Sequence, residues 1–148
     1  MDRVTAASDL MAGQRTNCAQ AILSTYCEQF GLDRTVALAL AQGFGGGMAR
    51  LGRTCGAVTG AYMVLGLSQR VPADSPREAL ETAYGLILEF NRSFETLHGS
   101  LVCRELIGCD LSTLEGLAEA REKGVFTTVC PRFVRDAAEI LEFLLQLR

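Results

Sequence analysis

The chain has 148 residues, 49% of them hydrophobic, with 14 basic against 17 acidic side chains and a formal net charge of -3. That length fits one ordinary domain, 1–148, with apolar content enough for a core that needs no disulfide staples. The basic residues are scattered and the pI is about 5.2, which argues against the concentrated Lys and Arg that nucleic acid requires.

Residues 2–12 read as a first helix that ends near Gly13. Asn17 with Gln20 has capping-box spacing and opens a helix through Phe30, stopped by Gly31. Asp33 caps the next helix, whose run Val36-Ala37-Leu38-Ala39-Leu40-Ala41 is hydrophobic all round and predicts a buried helix. Gly43-Phe44-Gly45-Gly46-Gly47 then breaks the chain, and a tight loop runs to Arg53. Thr54 is positioned to cap a helix over 55–69, in which Gly56, Gly60, Ala57 and Ala61 at four-residue spacing allow a second helix to approach closely. The segment 71–74 reads as a turn. Ser75-Pro76-Arg77-Glu78 is a strong helix start, and the helix runs to His98 and closes on Gly99. A short helix over 101–107 follows, capped by Ser100 and stopped by Gly108. Ser112-Thr113-Leu114-Glu115 opens another that ends at Gly124. From Pro131 the apolar positions Phe133, Val134, Ala137, Ile140, Leu141 and Leu144 follow the helical period. No stretch alternates like a strand; the β-branched cluster over 125–129 is short. The expected fold is all-α, a compact bundle of about six to eight helices around a buried Gly-rich central helix. The longest uncharged stretches, 35–49 and 54–69, fall short of the ~20 residues of a spanning helix, so no membrane span is expected. The mean hydropathy of +0.20 suits a fully buried helix or a homodimer interface instead.

Cysteine usage is the informative signal. No apolar signal run follows Met1-Asp2-Arg3, so a cytoplasmic protein is expected, and there six cysteines point toward redox or metal chemistry. They are Cys18, Cys27, Cys55, Cys103, Cys109 and Cys130, with no C-x-x-C among them. On a helix, Cys18 and Cys27 face opposite sides. Cys103 and Cys109 also diverge unless Gly108 ends the helix between them. A working pair therefore has to come from different helices. Cys55 stands where a glycine-rich loop with Arg50 and Arg53 gives way to a helix. The dipole, the free N–H groups and the arginines would all favour its thiolate. Cys130 and Cys18 have similar helix-start positions. The single His98 excludes a multi-histidine site and suits a helix C-terminus. Glu78, Glu81, Glu115, Glu119 and Glu122 read as solvated surface charges, and no Ser-His-Asp triad is present. The glycine loop lacks the ending of a P-loop; its glycines are expected to let the chain turn tightly against Cys55.

The run Gly43-Phe44-Gly45-Gly46-Gly47-Met48, followed by Gly52-x-x-Cys55-Gly56-Ala57-x-x-Gly60-Ala61, resembles the C_GCAxxG_C_C family of redox-active proteins. The leading cysteine of that pattern matches Cys18 in Asn17-Cys18-Ala19-Gln20, and the two later ones match Cys103 and Cys130. The resemblance covers essentially the whole chain. It implies that Cys18, Cys55, Cys103 and Cys130 form the functional set, with Cys27 and Cys109 as extras. The expected activity is thiol–disulfide exchange with a redox partner protein or a small thiol or disulfide. Cys55 would attack, and Cys18, Cys103 or Cys130 would resolve, through a mixed disulfide or a sulfenic acid. That chemistry requires no cofactor. The competing expectation is an electron-transfer module in which the same four cysteines hold an iron–sulfur cluster or zinc. A third is a helical interaction protein with buried thiols.

Overall fold

The computed structural model describes residues 1–70 and 75–146 and is all-α over them. The helices are α1 (Arg3–Ala12), α2 (Cys18–Tyr26), α3 (Arg34–Ala41), α4 (Gly56–Ser68), α5 (Pro76–His98), α6 (Cys103–Ile107), α7 (Leu114–Glu122), α8 (Val125–Thr128) and α9 (Cys130–Gln146). The turn expected over 71–74 lies outside the described residues.

Local signals set most of the boundaries. Asp2 accepts from the Thr5 N–H and Asp33 from the Val36 N–H. Asn17 and Gln20 cap each other reciprocally, which satisfies donors that a helix start otherwise leaves free. Gly31, Gly99 and Gly108 all adopt the left-handed conformation that ends a helix. Elsewhere tertiary context shifted the edges. α2 ends at Tyr26, and its last turn tightens into a 3-10 turn at Glu28–Phe30. Thr113, not Ser112, caps α7 by accepting from the Gly116 N–H. The β-branched cluster after Gly124 forms the single-turn α8.

The four-residue spacing of small residues on α4 has the effect expected of it. α4 packs against α2, α5 and α9, and Gly56 and Gly60 lie directly against α2. A Cβ on Gly56 would sit 2.9 Å from the Ala19 nitrogen, and one on Gly60 would sit 3.0 Å from the Ala19 carbonyl oxygen. α9 lays the apolar stripe Phe133, Val134, Ala137, Ala138, Ile140, Leu141 and Leu144 into the core. The longer α5 contributes only Leu86, Phe90 and Phe94, with Phe90 and Phe94 stacked at 5.9 Å.

α3 corrects the sequence expectation. It is not a buried helix: only Ala37 and Ala41 are covered, while Val36 is 47% and Leu40 57% exposed. Its inward stripe is made of alanines that seat against α2, so the bulkier residues on the adjoining stripe remain in solvent.

Candidate thiol cavity

Two pieces of backbone geometry build the site. The first is the loop after the 3-10 turn Gln42–Phe44. Gly46, Gly47, Met48, Ala49 and Arg50 have φ values of 64°, 69°, 69°, 51° and 66°, five successive residues in the left-handed region. Such backbone costs an ordinary residue roughly 1–2 kcal/mol. Long-reach bonds hold it closed, from the N–H groups of Ala49, Gly52 and Arg53 to the carbonyls of Gly43, Gly46 and Gly47. Gly47 is required here on two counts, its positive φ and the room left for its neighbours. A Cβ on it would lie 2.7 Å from the Cys103 Cβ. Gly47 therefore lets the chain turn against Cys103 and Gly45 lets it pass Asn17, whereas the sequence suggested a turn against Cys55.

The second is an isolated antiparallel bridge between Thr54 and Val102. The Cys55 N–H donates to the Leu101 carbonyl at 2.8 Å, and the Cys103 N–H donates to the Arg53 carbonyl at 2.6 Å. This pairing sets two cysteines side by side that are 48 positions apart in sequence (103 − 55). It also occupies Thr54, so Cys55 itself stands at the N-cap of α4 and the threonine does not cap it.

Cys18, Cys103 and Cys130 are the first residues of α2, α6 and α9, and Cys55 immediately precedes α4. Four helix starts, one more than the sequence suggested, thus bring their thiols to the wall of one cavity of about 520 Å3. All six cysteines are free and buried, so burial alone does not separate a working thiol from a packing one. Position does. Cys27 and Cys109 are outside the lining, and the Cys27 thiol donates to the Ser24 carbonyl at 3.6 Å instead.

The electrostatics divide the four thiols. Cys18 stands within hydrogen-bonding reach of both Cys130 and Cys55, and its Sγ is 3.7 Å from the Met11 Sδ. Those two thiols together with burial hold its pKa well above the usual range. Cys55 shifts the other way. The Cys18 thiol beside it and the Ala57 and Val58 N–H groups at the start of α4 lower its pKa despite burial. Arg50 and Arg53 play no part in that shift. Burial, followed by the charges on Cys55 and Cys130, pushes Cys103 up to about 12.

His98 lies away from this cavity, between Phe94 and Phe133, with Nε2 2.9 Å from Asp136 Oδ2 but not aligned for a hydrogen bond. Met11, Arg121 and Phe126 also line the cavity and had no signal in the sequence, because α1, α7 and α8 reach it only through tertiary packing. Among the described residues no group of three or more His, Cys, Asp or Glu side chains is arranged to hold a metal ion. The four cavity cysteines do not form such a ligand set in this geometry.

Fold and site together define an all-α protein with a four-cysteine cavity at the meeting point of its helix starts. A family model described as "Putative redox-active protein (C_GCAxxG_C_C)" matches residues 16–144, which include all four cavity cysteines, and the chain belongs to that family. Comparison with curated proteins and with solved structures finds no match. No helix among the described residues is long and apolar enough to cross a membrane.

Proposed function

We propose that the protein carries out thiol–disulfide exchange, with Cys55 as the attacking thiolate and Cys18 as the thiol that resolves it. The observation that carries this reading is the Cys18–Cys55 contact. A thiol within hydrogen-bonding reach of a neighbouring sulfur at a helix start stabilises the anionic form that attacks, and it is already in place to displace the product. In the cycle, Cys55 forms a mixed disulfide with an incoming disulfide. Cys18 then attacks the Cys55 sulfur, and the two electrons of the protein pair reside in the departing thiols. Cys130, also within reach of Cys18, is the next partner, and Cys103 is held protonated beside Cys55.

Limited oxidation tests this. Fully reduced protein is treated with one equivalent of diamide, unreacted thiols are blocked, and peptides are mapped without reduction. Cys55–Cys18 is expected as the first bond to form. A first bond that involves Cys27 or Cys109, or the absence of any bond among the four cavity cysteines, would remove the proposal.

A further inference from the structure

The cavity has a second character besides its thiols. Its lining includes Arg50 and Arg121, both exposed, and contains no aspartate or glutamate, although acidic residues outnumber basic ones in the chain. Neither guanidinium is within ion-pair distance of a carboxylate among the described residues. Gly45, Gly46 and Gly47 also line the cavity, and the N–H groups of Gly46 and Gly47 donate to no acceptor among the described residues. The Thr16 hydroxyl, on another lining residue, is buried without a partner. These are donors and positive charges without a protein partner among the described residues.

Access narrows the partner further. Cys55 is 4% exposed and Cys18 8% exposed, so a disulfide has to enter the cavity to meet them. Exchange requires attacking, central and leaving sulfurs to approach one line, which a bond on the surface of a folded protein does not achieve at a recessed thiol. A volume of about 520 Å3 falls within the range of small-molecule sites, about 300–1,000 Å3. Leu117 and Phe126 give it an apolar wall for the carbon skeleton of such a molecule.

We propose that the cavity is a binding site for a small anionic disulfide, whose anionic group faces Arg50 and Arg121 while its S–S bond is presented to Cys55. This rests on the exchange reading above and names its substrate class. The Cys55 thiolate bonds to one substrate sulfur, the substrate S–S bond breaks, and the first half leaves as a thiolate. Cys18 then bonds to Cys55, its proton passing to the second half, which leaves as a thiol. One disulfide is broken and one formed, and the protein pair is oxidised by two electrons as the substrate is reduced by two.

Three disulfides of matched size separate the possibilities: dithiodipropionate (anionic), hydroxyethyl disulfide (neutral) and cystamine (cationic). Each is mixed with reduced full-length protein, and its rate of Cys55–Cys18 oxidation is divided by its rate with free mercaptoethanol. The anionic compound is expected to lead the neutral one by about tenfold and the cationic one to trail, with the spread shrinking as salt is added. Arg50→Gln and Arg121→Gln are expected to collapse the anionic-to-neutral ratio several-fold, and the Lys variants to retain it. Arg121 is exposed on a helix surface, so its substitutions leave the fold intact. Equal normalised rates for the three compounds, or a ratio that both Gln variants leave unchanged, would overturn the anion site alone. If none of the three oxidises the pair, the exchange reading itself is lost.

Discussion

At Cys55 a buried thiol ionises more readily than a free cysteine because one thiol and two backbone N–H groups outweigh the loss of water around it. The consequence is measurable as the pH profile of Cys55 alkylation, which should reach half its plateau below the ordinary 9.0 of a cysteine. Removing the donor with Cys18→Ala should move that profile to higher pH. The neutral-pH rate should fall by about tenfold, the size of one charge-assisted hydrogen bond. Cys18→Ser keeps an O–H donor and should restore part of the rate, which a purely structural role for Cys18 would not predict. A profile that is identical in all three proteins would mean that Cys18 does not tune Cys55.

Among the elements, the α2–α4 contact holds the two leading thiols in register. Ala at position 56 would press on the Ala19 nitrogen and on the Cys18 Cβ 3.0 Å away; at position 60 it would press on Ala19 and Ile22 at 3.0 Å. Each should lower the unfolding free energy by about 1–3 kcal/mol, against the gain that Ala usually brings to a helix interior. Gly56→Ala should also slow Cys55–Cys18 bond formation, because it displaces Cys18 directly. Gly66 lies in the same helix with nothing within 4 Å of its Cβ position, so Gly66→Ala should stabilise by about 0.5–1 kcal/mol. Denaturant midpoints across the three variants check the contrast. The same contact shows what the sequence could reveal. Caps such as Asn17 with Gln20, stops such as Gly99, and the small-residue spacing of α4 act within one or two turns and were legible. The Thr54–Val102 bridge was not, because it joins segments that carry no strand signal. For the same reason the helix that the sequence places from 101 begins at Cys103, since the backbone at 101 and 102 is used for pairing. The exposure of Val36 and Leu40 depends on which helix covers α3, and periodicity does not record that. The four cysteines were named through their family pattern, whereas their convergence on one cavity is a tertiary fact.

For the whole molecule, the raised thiols make stability pH-dependent. Cys103 stays protonated in the folded protein up to about 12 but ionises near 9.0 when unfolded, and Cys18 shifts in the same direction. Their contribution is therefore complete below pH 9 and is lost as pH climbs toward 12, because unfolding then releases protons that the folded state retains. Each such group removes at most about 1.4 kcal/mol per pH unit across that window. Cys55 has the opposite sign, its contribution disappearing as pH falls through its lowered value. Urea unfolding at pH 9, 10 and 11 should show a falling midpoint, and Cys103→Ala should flatten the decline whatever it does to the absolute stability. A midpoint constant over that range would contradict the burial of these thiols as neutral groups.

In the exchange proposed above, the place of Cys18, within reach of both Cys55 and Cys130, gives the cavity a property that a simple dithiol lacks. In the language of circuits, Cys55 is an input and Cys130 a store. A bond made between Cys55 and Cys18 is passed along when Cys130 attacks Cys18, which returns Cys55 as a free thiol with no outside molecule arriving or departing. The input is then open while the first charge is held behind it, and Cys103, across the bridge from Cys55, is the remaining sulfur that can close on it. A single pair of adjacent cysteines has two positions, on and off. In that exchange the four cavity cysteines can close as two bonds, a register of two equivalents.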